Sequence, residues 1–235
     1  QVAVDKEEAF LKTFSHNFKG SQTKNLDLGD SNILKDIPKS DVIIAGPPCQ
    51  GFSLTGPRNI DDPRNKLYLS VFKTLKLTNP KAFVVENVRG LKTMWDGNVF
   101  KEIIKKFESA GYIVTESLLN SADYGVPQIR HRVFIVGIKK ELNKKFEFPK
   151  PEFNKDNYIT CGEAIDNLPS LENGELKSIN YNEKPTTNFQ RYVMDCNKLY
   201  NHEATLHKQF VKDTIALVPE GGNYKDLPKG VGDSR

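Results

Sequence analysis

Short β-branched and apolar runs, each cut off by glycine, proline or a charged residue, alternate along most of the chain with longer segments whose apolar positions recur at helical spacing. Val42-Ile43-Ile44-Ala45 and Ala82-Phe83-Val84-Val85 are apolar throughout and too short for helices, so they predict buried strands, parallel ones by composition. Val2-Ala3-Val4, Asn25 to Leu28, Ile113 to Leu119 and Val133 to Ile138 predict further strands. Leu67 to Leu77 places Leu67, Val71, Phe72 and Leu75 on one helical stripe, and Asn98 to Ala110 does the same with Val99, Phe100, Ile103, Ile104 and Phe107. Asp5 with Glu8 predicts a capped helix running to about Asn17, with Ala9, Phe10 and Phe14 on one face. The alternation predicts an α/β fold: a doubly wound, mostly parallel sheet.

Beyond Lys139 the composition shifts toward lysine, asparagine and proline. Thr160-Cys161-Gly162-Glu163 predicts a capping box for a short helix ending near Leu168-Pro169. Pro169 to Lys198 mixes polar and turn-forming residues, and Glu203 to Val218 regains helical character, closed by Gly221-Gly222. One domain is therefore expected over residues 1–168 and part of a smaller one over 169–235. Leu54 to Pro63, rich in glycine, proline and aspartate, predicts a surface loop.

Composition narrows the classes. The 235 residues are 37% hydrophobic and 27% charged, and no apolar run is long enough to cross a bilayer. A formal charge of +4 permits a polyanionic partner without requiring one. Cysteines at positions 49, 161 and 196 form no C-x-x-C pair, which lacks the usual spacing of disulfide frameworks and zinc sites and fits a reducing, cytoplasmic setting. His202 and His207 are spaced at i and i+5, off a common helix face, so no metal site is expected.

Cys49 sits just past a strand's carboxyl end, where reactive groups collect in open α/β sheets; on its own it is equally a small packing residue. Glu86 follows four apolar residues and is expected to be shielded from water, which favours the protonated form. Asp5, at another strand end, is either a helix cap or an acceptor for ribose hydroxyls. Asp30-Ser31 reads as an ordinary turn or helix cap. Arg130 and Arg132 alternate before a strand and project together if the extended conformation starts early; otherwise they are surface arginines.

Pro47-Pro48-Cys49-Gln50-Gly51-Phe52-Ser53 resembles the catalytic-cysteine loop of the DNA (cytosine-5)-methyltransferases. Asp62-Pro63-Arg64-Asn65, Glu86-Asn87-Val88 and Gln128-Ile129-Arg130-His131-Arg132 follow in that family's order. The resemblance implies the S-adenosylmethionine-dependent methyltransferase fold with part of a target-recognition domain. It implies that Cys49 attacks carbon 6 of a flipped-out cytosine, that Glu86 donates to N3, and that Arg130 and Arg132 orient the base. S-adenosyl-L-methionine, released as S-adenosyl-L-homocysteine, would be held by Asp5, Asp30, Ser31, Pro48 and Leu67. Gln50, Ser53, Arg58 and Arg64 would meet double-stranded DNA.

The same resemblance implies a monomer in the bacterial cytoplasm, associated with the nucleoid, with a cognate restriction endonuclease as a functional partner. Family members begin with a Phe-x-Gly-x-Gly block and carry motifs after the segment that ends here, so both ends are expected to be incomplete. Two other functions stay open: methylation of cytosine in tRNA, which one branch of the family performs with the same cysteine and glutamate, and a catalytically silent DNA-binding relative, which has no need of Cys49, Glu86 or Arg132.

Overall fold

Side chains along β4 (Ala82–Val88) alternate strictly: Phe83, Val85 and Asn87 are buried, while Ala82, Val84, Glu86 and Val88 are half-buried. A period of two is what a strand shows when one face meets a core. In the computed structural model, which describes residues 1–48, 67–175, 181, 184–194 and 198–231, this strand belongs to a four-stranded sheet in the order β3-β4-β6-β5. Here β3 is Val42–Ala45, β5 is Tyr112–Asn120 and β6 is His131–Lys139.

β3 and β4 are parallel, as their composition predicts, whereas β6 runs antiparallel to both β4 and β5. The sheet is thus mixed, with β6 the reversed strand. The cause is the connection: a parallel crossover takes a dozen or more residues and usually a helix, but only a 3₁₀ turn at Ser121–Tyr124 separates β5 from the approach to β6.

β1 (Val2–Asp5) and β2 (Gln22–Asn25) form a separate parallel pair, with α1 (Glu8–Asn17) between them in the chain. β2 lies earlier than the predicted Asn25 to Leu28, because its polar sequence carries no apolar alternation to mark it. The predicted cap is also corrected. Asp5 Oδ1 accepts from Glu7 N at 2.8 Å, and Glu7 occupies the N-cap without a side-chain bond. The helix buries Leu11 and leaves Phe10 64% exposed.

The core lies on one face of the larger sheet. There α2 (Leu67–Thr78), α3 (Gly90–Thr93) and α4 (Asn98–Ser109) bring Val71, Leu75, Leu91, Phe100, Ile103 and Phe107 against Phe83, Val85, Val133 and Ile135. Phe83 is its centre, with ring centroids of Phe107 and Tyr112 at 4.8 and 5.0 Å. The Tyr112 hydroxyl donates to Pro80 O at 2.9 Å, and burial pushes its pKa up to about 12. The opposite face is more open: Val42 and Ile44 of β3 are 52% and 80% exposed.

The chain divides into two compact units, Gln1–Tyr158 and Ile159–Arg235, a boundary earlier than the expected division after residue 168. The short helix α5 (Cys161–Ile165) accounts for the difference, because Thr187 Oγ1 donates to Glu163 O at 2.7 Å and ties it to α6 (Asn188–Val193). The predicted capping box is present: Thr160 Oγ1 accepts from Glu163 N at 3.2 Å, and Glu163 Oε2 accepts from Thr160 N at 2.8 Å. α5 ends at Ile165, before the predicted Leu168. Gln209–Ala216 forms α7, later than the predicted start at Glu203. Asn173 holds the preceding stretch by accepting from His207 N and donating to His207 O, at 2.8 and 3.0 Å. No helix among the described residues is long and apolar enough to cross a membrane.

A glycine faces the ring of Phe83. β4 and β6 place Gly137 opposite Phe83, and a Cβ there would stand 2.1 Å from Phe83 Cε1. Gly137→Ala is therefore expected to destabilise the first unit by about 1–3 kcal/mol, read as a lower urea midpoint. An unchanged midpoint contradicts this account of the core.

Candidate active site

On the more open face of the sheet, Glu86 stands opposite Phe134 and Arg132 opposite Val88, which makes the charged residues diagonal neighbours across β4 and β6. Diagonal positions are about 7–8 Å apart at the backbone, within reach of long side chains. Arg132 Nε meets Glu86 Oε1 at 2.9 Å, with the arginine side chain 22% and the glutamate 37% exposed. Arg132 Nη1 also donates to His131 O at 2.9 Å. The expectation of a water-shielded Glu86 is corrected, since residues preceding it on a strand divide between two faces and do not enclose it. A partly exposed pair of this kind contributes about 0–1 kcal/mol to stability. Its interest lies in its surroundings.

The end of β3 adjoins the pair. A Cβ at Gly46 would lie 3.8 Å from Glu86 Oε2, ordinary van der Waals contact. Asn87, only 4% exposed, donates from Nδ2 to Pro47 O at 3.2 Å, and its Oδ1 accepts from Val88 N at 2.8 Å. Asn87 of β4 thus engages the turn that leads toward position 49 by a hydrogen bond, and the Glu86 carboxylate faces the open side of Gly46. Pro48 is exposed at the end of that turn. Cys49, Gln50, Ser53, the loop from Leu54 to Pro63 with Arg58, and Arg64 lie outside the described residues, as does Cys196. Cys161 is a free, exposed thiol.

Arg130 differs from Arg132. β6 starts at His131, and the exposed Arg130 is held through its backbone: its N–H donates to Asn120 Oδ1 at 3.1 Å and its carbonyl accepts from Ser121 N at 2.9 Å. Of the two arginines, Arg132 is the one paired with Glu86.

Of the residues predicted to hold a nucleoside-type cofactor, Asp5 ends β1 and Asp30 and Ser31 follow β2, whereas Pro48 follows β3 in the other sheet. Asp5 pairs with Asn25 across these strands, and Asn25 Nδ2 donates to Lys6 O at 2.8 Å. Asp30 follows β2 and accepts from Asn32 N through Oδ1 at 2.8 Å, capping a 3₁₀ turn at Ser31–Asp36. Leu67, at the start of α2, lies over this turn, with its Cδ2 3.8 Å from the position of a Gly29 Cβ. Asp5 and Asp30 each use one oxygen on a local backbone N–H, and a carboxylate has a second oxygen able to accept from hydroxyls or an amine. Two such acceptors and an apolar side chain fit a nucleoside.

Sequence reading attached no role to Gly46, Asn87 or Asn120. The signal for Asn87 was its place beside Glu86 in the Glu-Asn-Val block; the other two become visible only through spatial neighbours.

Comparison with known proteins is specific. The model of the family described as C-5 cytosine-specific DNA methylase matches residues 1–226. The Type II methyltransferase M1.HphI of Haemophilus parahaemolyticus is 36% identical over 98% of this chain and 58% of its own length. M.DdeI of Desulfomicrobium norvegicum is 36% identical over 96% of this chain and 57% of its own. This chain therefore spans rather more than half the length of these curated relatives. Among solved structures, an E. coli prophage-encoded protein described as a DNA modification methyltransferase superposes with a TM-score of 0.60 at 29% identity, over 76% of this chain and 51% of its own.

The tether from Asn87 is open to direct test. Asn87→Ala removes the donor to Pro47 O, and stability is expected to fall by about 1–3 kcal/mol in urea unfolding. A variant as stable as the parent contradicts the tether.

Proposed function

This chain belongs to the C-5 cytosine-specific DNA methylase family, and from that premise we propose that it methylates carbon 5 of a flipped-out cytosine in double-stranded DNA. The observation that carries this reading is the Glu86–Arg132 pair at 2.9 Å, set beside the Gly46 turn from which the chain runs on to Cys49.

Carbon 5 of cytosine is a poor nucleophile until a thiolate adds to carbon 6. Cys49 forms that S–C6 bond, and the displaced electron pair places negative charge on the ring. Glu86, as general acid, passes a proton to N3 and so neutralises the charge. Proton donation of this kind contributes about 10²- to 10⁴-fold. Arg132, freed from its carboxylate partner, orients the base and counters the remaining charge, with Arg130 alongside. Carbon 5 is now nucleophilic and takes the methyl group; loss of its proton to a base, departure of the thiolate and return of the N3 proton to Glu86 restore the ring. A free thiol, with pKa about 8.5, is only a few per cent ionised at neutral pH, so backbone N–H groups of a tight loop or a nearby guanidinium would assist Cys49.

S-adenosyl-L-methionine, when bound, supplies an electrophilic methyl group and leaves as S-adenosyl-L-homocysteine. Asp5, Asp30, Ser31, Pro48 and Leu67 are the residues that would hold it, Asp5 through ribose hydroxyls and Asp30 through the adenine amine. The proposed chemistry calls for no metal. A stacked cytosine hides carbon 6, so the target base must be rotated out at a cost of a few kcal/mol. Gln50, Ser53, Arg58 and Arg64 would grip the strand, and the second unit would read base edges. By likeness to the Type II methyltransferases, we assign the protein to the bacterial cytoplasm, working alongside a cognate endonuclease.

In the intact protein, Cys49→Ala is expected to abolish methyl transfer to duplex DNA and covalent capture by 5-fluorocytosine DNA. An adduct that survives in the variant counts against the nucleophile. The wild type is expected to prefer duplex DNA to tRNA; the reverse preference moves the substrate to RNA.

Glu86→Gln keeps shape but removes the acid. It is expected to slow single-turnover methylation by about 10²- to 10⁴-fold with a much smaller change in DNA affinity. Equal losses in rate and affinity point instead to a positioning role for Glu86.

A further inference from the structure

β5 and β6 pair as far as Asn120 opposite His131. One further ladder bond, Ser121 N to Arg130 O at 2.9 Å, extends the pairing. Its reciprocal would run from Arg130 N to Ser121 O, but that carbonyl is taken by Val126 N at 3.2 Å, where the chain winds through the 3₁₀ turn. An N–H that loses its ladder partner needs another acceptor. Asn120 Oδ1 provides it, at 3.1 Å.

The other end of the Asn120 amide is also held. Nδ2 donates to Asp123 Oδ1 at 3.0 Å and to Tyr158 Oη at 3.2 Å, and the Tyr158 hydroxyl donates to the same Asp123 oxygen. An N–H on one side and a carboxylate on the other determine which way the amide faces. Asp123 is itself fixed, because its carbonyl accepts from Glu152 N and Phe153 N at 2.9 and 3.0 Å. Gly125, in the left-handed region at φ 81°, leaves room for the Phe153 ring, which would lie 3.1 Å from a Cβ there.

We infer that Asn120, oriented by Asp123 and Tyr158, is a positioning residue that replaces the missing ladder partner of Arg130 and thereby sets where β6 begins and how it presents Arg132 to Glu86. Side chains on a strand alternate between faces, so a slip of one residue at the start of β6 would turn Arg132 toward the core. Asparagine suits the position: an aspartate would set a second carboxylate against Asp123, and an alanine would leave the Arg130 N–H without its acceptor.

This inference rests on the methyltransferase reading above, and the test separates the two. In the intact protein, Asn120→Ala and Asn120→Asp are expected to speed hydrogen exchange at the Arg130 amide by about tenfold or more. They are also expected to lower kcat on duplex DNA by up to about 10²-fold, with KM for DNA changed by less than about threefold. Tyr158→Phe, a milder change, is expected to shift both in the same direction by less. In an Arg132→Lys background, Asn120→Asp is expected to cost less than about twofold further, since residues acting through one another are not additive. Equal losses in both backgrounds, or Arg130 exchange unchanged in Asn120→Ala, overturn the inference while leaving an active wild type. A wild type that methylates no cytosine overturns the methyltransferase reading, and this inference falls with it.

Discussion

Phe83 lies against β6 where Gly137 stands opposite it, and this close approach pins the register between the two central strands. Every side chain on a strand is assigned a face by register, so one fit on the core side decides what meets on the other. With Phe83 opposite Gly137 and Asn87 opposite Val133, Glu86 and Arg132 fall on the outer face as diagonal neighbours. Their 2.9 Å contact follows from how the aromatic core packs.

The two faces divide the work. Burial of Phe83, Phe107, Tyr112 and the aliphatic residues around them supplies the stability of the first unit. The Glu86–Arg132 pair, half open to water, adds little to stability. A carboxylate and a guanidinium that contribute little to folding are able to exchange partners without unfolding anything. The proposed mechanism requires that freedom, because a cytosine must come between them. The surrounding backbone is held more firmly: Asn87 fastens the turn after β3, and Asn120 fastens the turn before β6. Movable charged groups on a fixed frame suit catalysis that depends on orientation.

Much of this was legible in the chain. The apolar runs at Val42–Ala45 and Ala82–Val85, the helical stripes of α2 and α4, and the Thr160–Glu163 capping box each carry their cause within a few residues. The pairing of Glu86 with Arg132 was hidden, since it depends on the register of two strands distant in sequence. The reversal of β6 was hidden for a similar reason: Val133 to Ile138 reads as a strand in either direction. β2 lacked an apolar pattern to locate it, and Asp5 offered the chemistry of a helix cap while its carboxylate was engaged by Glu7 N instead. Local signals located elements; distant contacts decided which side chains meet.

The central claim is that one thiol and one carboxylic acid act on the same base. The most direct test is the structure of the intact protein trapped on duplex DNA carrying 5-fluorocytosine at the target position. The account predicts a bond from Cys49 Sγ to carbon 6, with the Glu86 carboxyl within hydrogen-bonding distance of N3 on that ring and no longer paired with Arg132. A trapped base whose N3 meets another group, while Glu86 keeps its arginine partner, contradicts it.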